Sequence, residues 1–204
     1  MFQKLTNYIE KLDLESIPDK RKEVLNPFID YLQKKIKTGK NISLNFICTH
    51  NSRRSHLSQI WAQALAEHFQ LNQITCYSGG TAATAVYPMI IQVLEEAGFE
   101  TIPLSKSENA IIAVNYSPES HPIIAFSKTY DHPFNPTIGF AALMTCSDAD
   151  ENCPFIPGTE KRIALNYEDP KAFDNSPLQK SKYEERSRQI ATELFYVFSK
   201  IKKS

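Results

Sequence analysis

A chain of 204 residues suffices for one α/β domain with an appendage, and a second full domain would be crowded. Lysine plus arginine and aspartate plus glutamate each number 23, so no overall field draws the protein to nucleic acid or an anionic membrane, and any bound anion must be held locally. The opening residues hold no leader-like apolar run and no stretch is long enough to span a bilayer, which reads as a cytoplasmic protein whose four cysteines (Cys48, Cys76, Cys146 and Cys153) point to catalysis, redox work or metal rather than structural disulfides.

Residues 1–40 read as two amphipathic helices. The second opens at Ser16-Ile17-Pro18 and carries Val24, Leu25, Phe28, Ile29, Leu32 and Ile36 at helical spacing. Gly39-Lys40-Asn41 breaks the pattern, which sets a boundary between a helical extension, 1–40, and a main domain, 41–204. The apolar stripe of the extension must be covered, either by its own domain or in a dimer, and the first is preferred.

The main domain begins with a short strand at 44–47, a polar turn from Cys48 to Arg53, and an Ala- and Leu-rich helix over about 55–69. A second strand at 74–77 runs into Ser78-Gly79-Gly80-Thr81, and a helix with Ile90, Ile91, Val93 and Leu94 stops at Gly98. Between 109 and 128 the rhythm changes: two apolar runs, 110–114 and 122–126, flank the turn-like Ser117-Pro118-Glu119-Ser120, which predicts an inserted β-hairpin. A strand at 140–145, a loop, a strand at 162–166 and a helix over roughly 182–201 complete the chain. The alternation predicts an α/β three-layer sandwich around a central, mainly parallel sheet of about four strands.

The chemistry concentrates in Cys48-Thr49-His50-Asn51-Ser52-Arg53-Arg54-Ser55, where a strand hands over to a helix. Such a loop can wrap backbone N–H groups around an anion while the helix N-terminus adds partial positive charge. The same field favours a thiolate at Cys48, the form that attacks. Arg54 can aim a bidentate guanidinium at the anion, Ser55 can donate a hydrogen bond to the sulfur, and Asn51 can brace the loop. Thr49, His50, Ser52 and Arg53 complete the candidate binding loop. For Arg53 the alternatives are help in anion capture or exposure to solvent, and His50 reads as a loop residue rather than a proton donor.

Cys48 to Ser55 resembles the signature of the low-molecular-weight protein tyrosine phosphatase superfamily, which includes the thioredoxin-coupled arsenate reductases. Tyr77-Ser78-Gly79-Gly80-Thr81 is similar to the second strand and turn of that family, and Asp169-Pro170 to its general acid and following proline. The resemblance covers 41–204 in the expected order, apart from the inserted hairpin.

A phosphatase of this kind needs only Cys48, Arg54 and Asp169. A reductase needs two more thiols, because arsenate must receive two electrons. The stretch Cys146-Ser147-Asp148-Ala149-Asp150-Glu151-Asn152-Cys153-Pro154 closely resembles the redox segment of thioredoxin-coupled arsenate reductases, and His50 also suits that branch. The resemblance implies that Cys48 is the nucleophile, Cys146 the first resolving thiol and Cys153 the thiol presented to thioredoxin. The alternative is hydrolysis of phosphomonoesters, for instance on a phosphotyrosine protein, with Cys146 and Cys153 idle. A third possibility is a redox-sensitive module that binds phosphate without turnover. No tightly bound cofactor or metal is expected: the cysteine spacing does not suit zinc, an EF-hand is excluded at Cys153 and Thr159, and Gln59 stands where related reductases place a cation-binding carboxylate. Cys76, within an apolar strand, reads as core.

Overall fold

The computed structural model describes residues 1–152 and 155–203. Its central sheet has the order β2-β1-β6-β7 and every pairing in it is parallel, with β1 at Ile42–Cys48, β2 at Ile74–Gly80, β6 at Phe140–Met144 and β7 at Thr159–Ala164. Parallel neighbours need a crossover. Helix α3 (Arg54–His68) links β1 to β2, and it packs on both of these strands.

Alternation along the strands separates two cores. Leu44, Phe46, Ala141, Leu143 and Ile163 face the larger one, shared with α3, α4 (Pro88–Ala97) and α6 (Gln179–Ser199). Ile47, Cys48, Phe140, Ala142, Met144 and Cys146 face the smaller one, closed by Ala149 and Ile156. The layered α/β fold expected from the alternation is therefore present, with its helical cover heavier on one face.

Two N-terminal helices, α1 (Gln3–Ile9) and α2 (Asp19–Ile36), enter the larger core. Leu25, Phe28, Leu32 and Ile36 are buried there, and Phe28 meets Phe198 of α6 edge to face at 6.3 Å. Tyr8 stacks on Trp61 of α3 at 5.4 Å. Gly98 closes α4 in the left-handed region at φ 111°, and a β-carbon there would lie 2.5 Å from Leu5 N, so only glycine lets α1 pack against this helix end.

Two segments differ from the sequence expectation in detail. The inserted hairpin is β4 (Ile112–Asn115) paired with β5 (Ile123–Ala125), but a third antiparallel strand, β3 (Glu100–Pro103), adds to β4. That strand is short, mostly exposed and ends in proline, which an edge strand tolerates, so it carries no apolar alternation to read. Residues expected as a loop after β6 form a short helix, α5 (Ser147–Asn152). Ser147 and Asp148 suit a helix start, and Cys146 Sγ accepts from Ala149 N at 3.4 Å.

Because α2 is built into the same core, Phe28→Ala should cost about 3–5 kcal/mol of unfolding free energy and shift one cooperative transition seen by Trp61 fluorescence in urea. An unchanged Trp61 transition would show that α2 contributes nothing to the stability of the sheet.

Candidate active site

The loop of residues 49–53 joins the carboxyl end of β1 to the first turn of α3. Its carbonyls are engaged from outside. Cys48 O accepts from Thr81 N at 3.1 Å, Thr49 O from Ala82 N at 2.8 Å, His50 O from Ser127 Oγ at 3.0 Å, and Ser52 O from Tyr87 N at 3.0 Å. In a trans peptide the following N–H points opposite to its carbonyl, and the chain has no cis peptide among its described residues. The amides of Thr49, His50, Asn51 and Arg53 therefore turn away from these clamps. None of the four donates a hydrogen bond among the described residues.

Close approach of the clamping strand requires glycine. A β-carbon on Gly80 would sit 2.7 Å from Asn51 N and 2.8 Å from Thr49 O. Asn51 itself adopts φ 44°, a left-handed conformation that asparagine tolerates better than most residues. Its fully buried side chain braces the turn, with Oδ1 accepting from Lys128 N at 2.9 Å and Nδ2 donating to Ser55 Oγ at 2.9 Å. Ser55 Oγ lies 3.1 Å from Cys48 Sγ. With its oxygen accepting from Asn51, the hydroxyl proton of Ser55 is left for the sulfur.

Cys48, His50, Ser52, Arg53, Arg54 and Asp169 line one small, shallow concavity. Arg54 Nη2 pairs with Asp169 Oδ2 at 2.5 Å and Nη1 donates to Tyr167 O at 2.8 Å, while the buried Nε–H has no partner among the described residues. Asp169 caps the short turn Pro170–Phe173 by accepting from Lys171 N at 3.0 Å. Its side chain remains partly exposed across from the thiol-bearing loop. Arg53 neither faces solvent nor presents a free guanidinium: Nη2 pairs with Asp174 at 2.6 Å, Nε donates to Tyr183 OH at 2.6 Å, and the group lies 4.1 Å from the Tyr87 ring centre. His50 is exposed, with its carbonyl bound by Ser127 and Thr84.

Cys146 follows β6, the strand beside β1, and is fully buried. Its sulfur lies 3.5 Å from Thr49 Oγ1, so the second thiol borders the residue next to Cys48. Cys153 lies outside the described residues. Cys76 is buried among apolar neighbours, and burial raises its thiol well above the usual range. Gln59 is buried on α3 and its Nε2 donates to Cys76 O at 3.1 Å, while Gln63 bonds both Cys76 N and Ile74 O. These amides satisfy the outer edge of β2. No group of three or more His, Cys, Asp or Glu side chains is arranged for a metal ion among the described residues.

Several contributors gave no motif signal. Ser127 and Lys128, at the exit of the inserted strands, clamp the loop through a side chain and a backbone amide. The Lys128 ammonium is buried between the rings of Phe126 (4.5 Å) and Phe134 (5.4 Å), and burial brings its pKa down to about 8. His56, fully buried on the first turn of α3, shares a 3.3 Å hydrogen bond with Ser78. Burial, aided by the nearby Lys128 charge, lowers its pKa to about 3, so the ring is neutral.

His56 ties acid stability to this site. Its folded value lies below the ordinary 6.5, so its contribution is complete above that pH and is lost as pH falls toward about 3. The melting temperature should therefore fall on acidification below pH 6.5, and His56→Gln should fall less steeply over that window. Parallel melting curves for the two proteins would count against this assignment.

Residues 43–113 match the model of the family described as low molecular weight phosphotyrosine protein phosphatase. Arsenate reductase 2 of Staphylococcus epidermidis is 30% identical over 129 residues, covering 63% of this chain and 78% of that protein. Arsenate reductase 2 of Staphylococcus haemolyticus matches to the same extent. Among solved structures, a low molecular weight phosphotyrosine phosphatase from Vibrio cholerae O395 superposes with a TM-score of 0.53 at 14% identity, over 78% of this chain and 95% of that one. An arsenate reductase in the phosphate binding state superposes with a TM-score of 0.51 at 18% identity, over 79% and 99%. At these identities the superpositions establish the shared fold.

Proposed function

The chain belongs to the low-molecular-weight phosphotyrosine protein phosphatase superfamily, in its arsenate reductase branch, and from that premise we propose that it reduces arsenate to arsenite through a cysteine relay. The observation that carries the reading is the placement of Cys146 at 3.5 Å from Thr49 Oγ1, on the strand next to the one that ends in Cys48. Phosphate hydrolysis has no use for a second thiol there.

In this reading arsenate enters the concavity and accepts from the unpaired loop amides and from Arg54, whose buried Nε–H is an open donor. Cys48 thiolate attacks arsenic, forming an S–As bond, and the displaced oxygen leaves as water after taking a proton from Asp169. Cys146 then attacks the Cys48 sulfur. An S–S bond forms, the S–As bond breaks, and its electron pair stays on arsenic, which departs as arsenite. Cys153 attacks Cys146 in turn, freeing Cys48 and leaving a Cys146–Cys153 disulfide for an external dithiol reductant of the thioredoxin class. Ser55 steadies the sulfur, Asn51 holds the turn, and Thr49, His50, Ser52 and Arg53 supply loop backbone or its bracing. Among the described residues no helix is long and apolar enough to cross a membrane.

Phosphomonoester hydrolysis is the second reading, supported by Cys48, Arg54 and Asp169 lining one pocket. Steady-state arsenate reduction with thioredoxin, thioredoxin reductase and NADPH, run beside aryl phosphate hydrolysis, separates the two. Cys48→Ser should abolish both activities. Cys146→Ser and Cys153→Ser should each lower arsenate turnover at least about a hundredfold while leaving hydrolysis within about threefold. Undiminished arsenate turnover in both resolving-cysteine variants would remove the relay, and hydrolysis alone in the unaltered protein would establish the phosphatase reading.

A further inference from the structure

The segment 165–167 places the carbonyl that holds Arg54. On one side its backbone is fastened to β6: Leu165 N and Asn166 N donate to Met144 O at 2.8 and 3.1 Å, and Tyr167 N donates to Thr145 O at 3.0 Å. On the other side it meets Arg21 of α2. The Arg21 guanidinium donates through Nη2 to Leu165 O, pairs with Glu193 of α6 through Nη2 at 2.7 Å and Nε at 2.9 Å, and lies 4.9 Å from the centre of the Tyr167 ring. Glu193 is almost wholly buried, its side chain 3% exposed, so it depends on this cation. The planar fork is needed, because one group spans a carboxylate, a carbonyl and an aromatic face. The Tyr167 ring is likewise buried, and its carbonyl accepts from Arg54 Nη1 at 2.8 Å.

We propose that Arg21 is a positioning residue of the active site: by fixing 165–167 from the N-terminal extension, it sets the Tyr167 carbonyl that orients Arg54 toward the oxyanion. The assignment rests on the reading of Arg54 as the anion's guanidinium. Without Arg21, Leu165 O loses a donor and the Glu193 carboxylate is left buried without its cation, so the segment relaxes and Arg54 loses the anchor opposite Asp169. The extension then acts on chemistry it never touches.

Isothermal titration with inorganic phosphate tests this. Arg21→Met, compared at equal folded concentration, should weaken phosphate binding about tenfold, and Arg21→Lys, which keeps a charge for Glu193 but lacks the fork, should fall between. In an Arg54→Lys background the Arg21→Met change should add less than about twofold, because both act through one guanidinium. A purely structural role lowers the melting temperature without this coupling. Unchanged phosphate affinity in a folded Arg21→Met protein, or an undiminished effect in the Arg54→Lys background, overturns the proposal. If Arg21→Met does not fold, Arg21→Lys alone and with Arg54→Lys decides by the same coupling. A lack of weakening by Arg54→Lys would instead overturn the anion-site reading itself.

Discussion

The site depends on one constraint: the carbonyls of the turn after β1 are held from outside, which leaves its amides facing the other way. An amide without an acceptor is costly when buried, and a pocket that collects several of them is compensated by a bound anion. The clamps come from three places distant in sequence, the turn 81–82, the start of α4 at Tyr87, and the end of the inserted strands at Ser127. Asn51 joins them at the centre by accepting a left-handed backbone and bonding Lys128 and Ser55 at once.

Around that loop the charges are arranged in two tiers. The buried Arg54 and the partly exposed Asp169 line the concavity as an ion pair. Arg53 also borders it, but its guanidinium is engaged by Asp174, Tyr183 and Tyr87, which makes it a strut between α3, α4 and α6. Adjacent arginines in one turn thus have opposite roles, because residues one apart on a helix start point in different directions. Deeper still, His56 and Lys128 are buried beneath the loop, both shifted toward their neutral forms by the low-dielectric surroundings.

Gln59 and Gln63 finish the edge of β2 with side-chain amides, which blunts an exposed strand. The inserted sheet β3-β4-β5 returns to the site through Ser127 and Lys128 rather than standing apart as decoration. The N-terminal helices, which carry no motif, share the main core and reach the segment 165–167 through Arg21.

How much was legible in the residues follows from the range of the forces involved. The order of strand and helix, the turn from Cys48 to Ser55, and the placement of Cys146 after an apolar strand are local patterns, set by periodicity and by residue types within a few positions, and the sequence by itself determined them. Strand β3 and helix α5 escaped because the first has no apolar alternation and the second is a single polar turn whose start is capped by a cysteine. The partners of Arg53, the buried settings of His56 and Lys128, the amide edge made by Gln59 and the reach of Arg21 were decided only by the tertiary structure. Each is a contact brought about by sheet order and helix packing, between positions 17 (Gln59 and Cys76) to 172 (Arg21 and Glu193) apart, and such a contact leaves no periodic trace in the chain that makes it.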